Sequence, residues 1–251
     1  MFISRQNPLQ QFDLEIVQPL FNPRDNWVGN YLIRYNELQT IFSGVNLNVI
    51  FVNDGSTKNF DEQVISSLKE KIEHLKIISY TENKGKGFAV RAGVEQTKAP
   101  FVLYTDYDFP YQMQCLFKAY EQLKMGNDVV VGIRNEEYYH HLGYKRKLVS
   151  KACNFLNKVF LKIPHTDTQS GLKGFSIKGK ELMLKTTIDR FLFDTEFVCI
   201  AYQNKNVKVS TIDVELREGV KFTSMSFKTI LNETKNFTSI LIRSFFGKLK
   251  T

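Results

Sequence analysis

The amino-acid sequence predicts an α/β fold: a mainly parallel central sheet with helices on both faces, followed by a C-terminal amphipathic helix. Short runs of β-branched and aromatic residues alternate with stretches whose apolar residues recur at three- and four-residue steps, the order of a parallel sheet with crossover helices. Two of the apolar runs end in aspartates, Asp54 and Asp106, where open α/β sheets bind ligands. The 251 residues are 43% hydrophobic and 24% charged, an ordinary globular composition with enough length to bury a substantial core.

Leu14 to Asn22 reads as a first strand that runs out at Pro19 into a loop. Helical spacing follows from Trp27 to Phe42, and Gly44 closes that helix. A second strand begins at Leu47 and ends in the small, polar turn Asn53-Asp54-Gly55-Ser56-Thr57. A helix from about Phe60 to His74 leads to a strand from Leu75 to Tyr80. Asn83-Lys84-Gly85-Lys86-Gly87 then opens another helix. Backbone amides at such a start favour an anion and the lysines add charge; the same residues also read as a glycine turn with solvated lysines, and no Gly-Lys-Ser/Thr marks a Walker A loop.

The run Phe101-Val102-Leu103-Tyr104 breaks before Pro110 and leaves Asp106 and Asp108 two apart at a strand's carboxyl end. Aspartates so placed are either turn residues or hard oxygen ligands for Mg²⁺ or Mn²⁺, and such a cation clamps a diphosphate. A helix from about Gln112 to Met125 and a strand from Asp128 to Arg134 continue the alternation. Asn135 to Gly143, with His140 and His141, reads as a loop over the site, and Tyr144 to Phe160 as an amphipathic helix with a cationic edge. His165 to Ser176 is a polar, glycine-bearing loop leading into a strand. Asp194 stands where an N-cap belongs, before an apolar helix. Val207 to Leu216 is a last strand, closed by Arg217. In the tail, Phe227, Ile230, Leu231, Phe237, Leu241 and Phe245 recur among basic residues; such a stripe either packs into a core or lies on an anionic bilayer.

The net charge of +8 fits an anionic ligand, an anionic membrane surface or nucleic acid. No recognition helix, zinc finger or aromatic-basic RNA-binding motif is present, so nucleic acid is not expected as a partner. Cys115, Cys153 and Cys199 have neither disulfide nor zinc spacing and read as reduced core residues of a cytoplasmic protein. Met1 to Leu14 carries no signal-peptide core, and no apolar run has the length of a spanning helix. The expected location is cytoplasmic, reaching at most the inner face of a membrane as a peripheral protein.

Six stretches together resemble the family 2 glycosyltransferases of the GT-A fold, in particular dolichyl- and polyprenyl-phosphate β-glucosyltransferases. They are Val52 to Thr57, Asn83 to Gly93, Thr105 to Asp108, Val131 to Arg134, Asp167 to Phe175 and Phe193 to Glu196. The sequence departs from the family pattern at Ser170, Leu172 and Phe109-Pro110-Tyr111, and in having no spanning helix. The resemblance implies a GT-A catalytic domain over residues 1–220 and a basic amphipathic helical tail over 221–251. It implies that Asp54, with Lys84, Gly85, Lys86 and Gly87, lies against a nucleotide-sugar donor, a UDP-hexose, and that Asp106 and Asp108 hold a divalent cation. Arg134, Lys173 and Arg217 are candidates for its phosphates or else for salt bridges, Gln169 joins the donor site, and Asp106 faces the ribose or the metal. A hydroxyl acceptor needs a carboxylate base, for which Asp167, Asp194 and Glu196 compete, whereas a lipid phosphate is already anionic. The implied reaction is an inverting transfer to a lipid phosphate; the alternatives are transfer to hydroxyls of a surface glycan, or a non-catalytic homologue that binds nucleotide or membrane.

Overall fold

The computed structural model describes residues 11–134, 161, 163, 167–220 and 227–246. The expectations for His140 and His141, for the helix from Tyr144 to Phe160 and for Cys153 lie outside these residues. The strands are β1 (Leu14–Leu20), β2 (Leu47–Asp54), β3 (Leu75–Tyr80), β4 (Phe101–Thr105), β5 (Val129–Arg134), β6 (Leu172–Phe175) and β7 (Val209–Val214). The helices are α1 (Trp27–Ile41), α2 (Glu62–Lys71), α3 (Lys86–Glu95), α4 (Met113–Lys124), α5 (Ile177–Leu184), α6 (Phe193–Gln203) and α7 (Phe227–Phe245). Among the described residues the strands form one sheet in the order β3-β2-β1-β4-β6-β5-β7.

Every pairing is parallel except those of β6, which lies antiparallel between β4 and β5. The mainly parallel sheet is therefore as expected, but the strand expected after the His165–Ser176 loop lies within that stretch, as β6, and a helix, α5, follows instead. The expected end of the first strand at Pro19 needs correction, because β1 continues to Leu20. Its pairing with β4 stops at Val17, so a residue without an N–H breaks no ladder on that side. The second helix, Glu62–Lys71, is shorter than the expected stretch from Phe60 to His74. Asp61 caps it by accepting the Val64 amide at 2.9 Å, and Ile72 is already extended, with the His74 carbonyl accepting the Val49 amide. The last strand likewise contracts to Val209–Val214, and Leu216 instead bridges to Tyr111.

Two apolar layers sandwich the sheet. On one face, Trp27, Tyr31 and Leu38 of α1 pack with Leu116 and Leu123 of α4 against Phe51 and Leu103. On the other, Val90 and Val94 of α3, Leu182 of α5 and Phe193 and Phe197 of α6 meet Val17, Val52 and Tyr104. The C-terminal helix joins this second layer: Ile240 is fully buried in it, with Phe237 and Leu241 packed alongside. No helix among the described residues is long and apolar enough to cross a membrane. Glu15 is buried at the start of β1, where it accepts the amides of Lys98 and Ala99 and the side-chain amide of Asn48, fixing the approach to β4.

Helix α3 approaches the sheet at Gly93, where an added methyl would overlap Val17 and Val52. Gly93→Ala is expected to lower the unfolding free energy by about 1–3 kcal/mol through overpacking, despite alanine's better helix propensity. The check is a lower urea midpoint at unchanged slope.

Candidate active site

The carboxyl ends of β1, β2 and β4 lie side by side, so the turns that follow them share one edge. Asp54 ends β2 beneath the glycine-lysine loop. Its carboxylate accepts the side-chain amide of Asn83 at 2.7 Å and the backbone amides of Lys84 and Gly85 at 2.8 and 2.9 Å. Both oxygens are thus engaged in building the loop, which turns through Gly85 at φ 109°, a conformation open to glycine. Of the two readings of this stretch, an anion cradle and a glycine turn, the backbone amides build the turn. The amides of Gly87 and Phe88 already donate to the Asp189 carbonyl, so the attraction for an anion rests chiefly on the lysines. Lys84 lies over the Tyr80 and Phe88 rings, and the Lys86 ammonium stands 2.6 Å from Asp106.

Asp106 and Asp108 occupy a tight turn after β4. The Phe109 amide donates to the Asp106 carbonyl, and Phe109 itself adopts φ 44°, a left-handed conformation unusual for an aromatic residue. Its ring is fully buried and stacks on Tyr31 at 5.4 Å, so packing holds the turn in place. Gln18 of β1 donates to the same Asp106 carbonyl and accepts the Tyr31 hydroxyl at 2.7 Å. Arg217 closes the other side, donating to the carbonyls of Asp108 and Phe109. The Asp106 carboxylate in turn lies against Gly171, where any Cβ would collide with it. Burial works against the charge on Lys86, but Asp106, Asp194 and Asp108 raise its pKa. Although Asp108 stands at the surface, desolvation by its surroundings and repulsion from Asp106 push its carboxyl up.

β6 supplies the back wall. Lys173 is completely buried, its ammonium donating to the Ser170 carbonyl and standing 2.9 Å from Asp194. Among the described residues Asp194 Oδ1 has no other hydrogen-bond partner. Burial drives Asp194 up and Lys173 down, each toward neutrality, while each partner's charge opposes the change. Asp194 is not the expected N-cap: Leu192 holds that position and Asp194 lies in the first turn of α6. Arg134 grips Asp167 through a two-pronged contact at 2.7 and 2.6 Å, and its backbone amide donates to the same carboxylate. Burial would raise Asp167, but the guanidinium more than offsets this and lowers it. The Gln169 amide also donates to Asp167. Glu196 points elsewhere, accepting the Thr187 and Ile188 amides and the Thr187 hydroxyl and pairing with Arg243.

The structure therefore brings Lys86, Asp106, Asp108, Lys173, Asp194 and Arg217 to one edge, keeps Asp54 beneath it, ties Arg134 to Asp167, and turns Glu196 away. Gln18 and Tyr31 were not among the expected site residues; a glutamine inside an apolar strand was the signal for the first. No group of three or more histidine, cysteine or acidic side chains suited to a metal occurs among the described residues. Two carboxylates fit a cation that arrives with a diphosphate, since Mg²⁺ is commonly held by one or two carboxylates plus substrate phosphates.

Residues 35–180 match the family description "Glycosyl transferase family 2". A dolichyl-phosphate beta-glucosyltransferase of Trichomonas vaginalis is 30% identical over 68% of this chain and 54% of its own length. A dolichyl-phosphate beta-glucosyltransferase of Dictyostelium discoideum is 21% identical over 98% of this chain and 79% of its own. The chain thus spans about half the length of the first relative. Among solved structures, glucosyl-3-phosphoglycerate synthase from Mycobacterium tuberculosis, in complex with uridine diphosphate, gives a TM-score of 0.64 at 14% identity over 93% of this chain and 80% of that one. Mannosyl-3-phosphoglycerate synthase from Rubrobacter xylanophilus gives 0.63 at 14% identity, over 95% and 74%. These neighbours carry the GT-A-like fold, and the match over residues 35–180 carries the family: the chain belongs to the family 2 glycosyltransferases.

Proposed function

We propose that this chain is a metal-dependent, inverting hexosyltransferase that moves a sugar from a nucleotide sugar, a UDP-hexose, to a polyprenyl phosphate at a membrane surface. The observation that carries this reading is the placement of Asp106 and Asp108 beside Lys86, at the edge where the Asp54 loop ends. Asp106 and Asp108 would hold Mg²⁺ or Mn²⁺, which when bound neutralises charge building on the departing diphosphate. Lys86 and Arg217 place cations to either side of the same turn. The names of the two relatives support a hexose donor and a lipid-phosphate acceptor. Such an acceptor is ionised near neutral pH and attacks without a base.

A second reading, transfer to a glycan hydroxyl, draws support from Asp194. Arg134 occupies Asp167, and Glu196 is enclosed by its own partners. Asp194 alone of the three competing carboxylates faces Lys86 and Lys173 with burial raising its carboxyl, which strengthens it as a proton acceptor. Access to lipid is assigned to the end of α7 and the residue after it, which expose Ile242, Phe245 and Phe246 on a helix that also carries Lys235 and Arg243. Aromatic residues beside cations suit an anionic bilayer surface.

Calorimetry with UDP and Mn²⁺ should show binding to the parent protein, and Asp108→Ala should weaken it about 100-fold, in keeping with the several kcal/mol that a bound cation contributes. Absence of binding by the parent for every nucleotide tried would remove the donor reading. The double substitution Phe245→Glu/Phe246→Glu should abolish sedimentation with vesicles containing anionic lipid; equal sedimentation of both proteins would detach α7 from the membrane reading. Asp167→Asn should cost about 3 kcal/mol at pH 7, because it removes one charge from the buried, two-pronged Arg134–Asp167 pair. The folded carboxyl of Asp167 lies below its ordinary value. This stabilisation is therefore present above about pH 4 and is lost as pH falls through the folded value. Urea titrations of parent and variant should accordingly converge in acid.

A further inference from the structure

We infer that the C-terminal helix α7 holds the donor loop: it fixes the segment Thr186–Leu192, and that segment fixes Asn83 to Phe88. The inference rests on the donor reading above for its functional meaning, though not for its geometry. Thr186–Leu192 joins α5 to α6 without regular secondary structure, so its position depends on what it touches from each side.

On the α7 side the segment is pinned at both ends. Glu196 is fully buried beneath it, accepting the amides of Thr187 and Ile188 at 2.8 Å and the Thr187 hydroxyl at 3.0 Å. Arg243 of α7 completes this knot by pairing with Glu196 and donating to the Thr187 hydroxyl at 2.7 Å. A buried carboxylate without a cation beside it is strongly disfavoured, and the cation beside Glu196 is Arg243 of α7. At the other end, Glu233 of α7 accepts the Leu192 amide at 2.9 Å.

The opposite side of the same segment grips the donor loop. The Asp189 carbonyl accepts the amides of Gly87 and Phe88 at 2.8 and 3.3 Å. Arg91 of α3 donates to the Ile188 carbonyl at 2.8 Å and pairs with Asp189. Arg190 donates to Asn83 at 2.6 Å, and Asn83 donates in turn to Asp54. The glycines complete the fit, since a Cβ at Gly85 would strike Asp189 and one at Gly87 would strike Ile188 and Phe193. Seven residues thus hold Lys84 and Lys86 on one side and α7 on the other. Arg243 and Glu233 are positioning residues for the donor loop, remote from any reacting atom.

The test compares the parent with Arg243→Ala, Glu233→Ala and the conservative Arg243→Lys by amide hydrogen exchange without ligand and by UDP-Mn²⁺ calorimetry. Loss of a charged hydrogen bond should speed exchange at Gly87 and Phe88 about tenfold and weaken nucleotide binding by a similar factor. Amides of β1 and β2 should keep their protection, and Arg243→Lys should recover part of both effects. Unchanged exchange at Gly87 and Phe88 in the folded alanine variants would overturn the inference. So would a uniform loss of protection across the sheet, which marks α7 as core support alone. Faster loop exchange in a protein that binds no nucleotide would uphold the coupling while removing the donor reading, so the two fail separately.

Discussion

The site depends on charges of opposite sign being kept in pairs along one edge of the sheet, largely out of water. Lys86 with Asp106, Lys173 with Asp194 and Arg134 with Asp167 are three such pairs. None joins neighbours in sequence, so each exists only once the sheet has brought its partners together. Burying an ion without its counter-ion is strongly unfavourable, which makes the folded arrangement and the charge arrangement one requirement. Lysines near a diphosphate attract it, but in the free protein their charge needs local balance. Asp106 and Asp194 provide that balance and leave Lys86 ionised.

The polar edge is held from the apolar face beneath it. Phe109 accepts a left-handed backbone because its buried ring is stacked on Tyr31, and Tyr31 also orders Gln18, which holds the Asp106 carbonyl. The aspartate turn is consequently fixed by aromatic packing below and by Arg217 above. Local strain over-determined by its surroundings is common where a site must be rigid before its ligand arrives.

Much of this was legible in the sequence. The strands at Leu14, Leu47 and Phe101 announced themselves as apolar runs, and the aspartates at the ends of the latter two as a shared edge. α1 was visible because its buried residues fall on helical spacing. Other features were hidden for physical reasons. β6 has four residues, two of them Lys173 and Gly174, so it carries neither length nor alternation enough to read as a strand. The roles of Asp194 and Glu196 could not be separated either. They lie two apart on one helix, and only the packing shows that the first meets Lys173 while the second meets Thr187 and Arg243. The segment Thr186–Leu192 has no periodicity at all, and its importance lies in contacts with residues about a hundred positions earlier.

The antiparallel insertion of β6 bears on how the chain is assembled. β5 pairs with β6 and β7, and β4 pairs with β1 and β6. Strands β1 to β4 can pair among themselves, whereas both neighbours of β5 lie later in the chain. Leu103 must wait for Gly174, a closure across a long intervening stretch, which is entropically slow. The far half of the sheet, β6-β5-β7, is accordingly expected to join after the near half, because its link to β4 runs through β6.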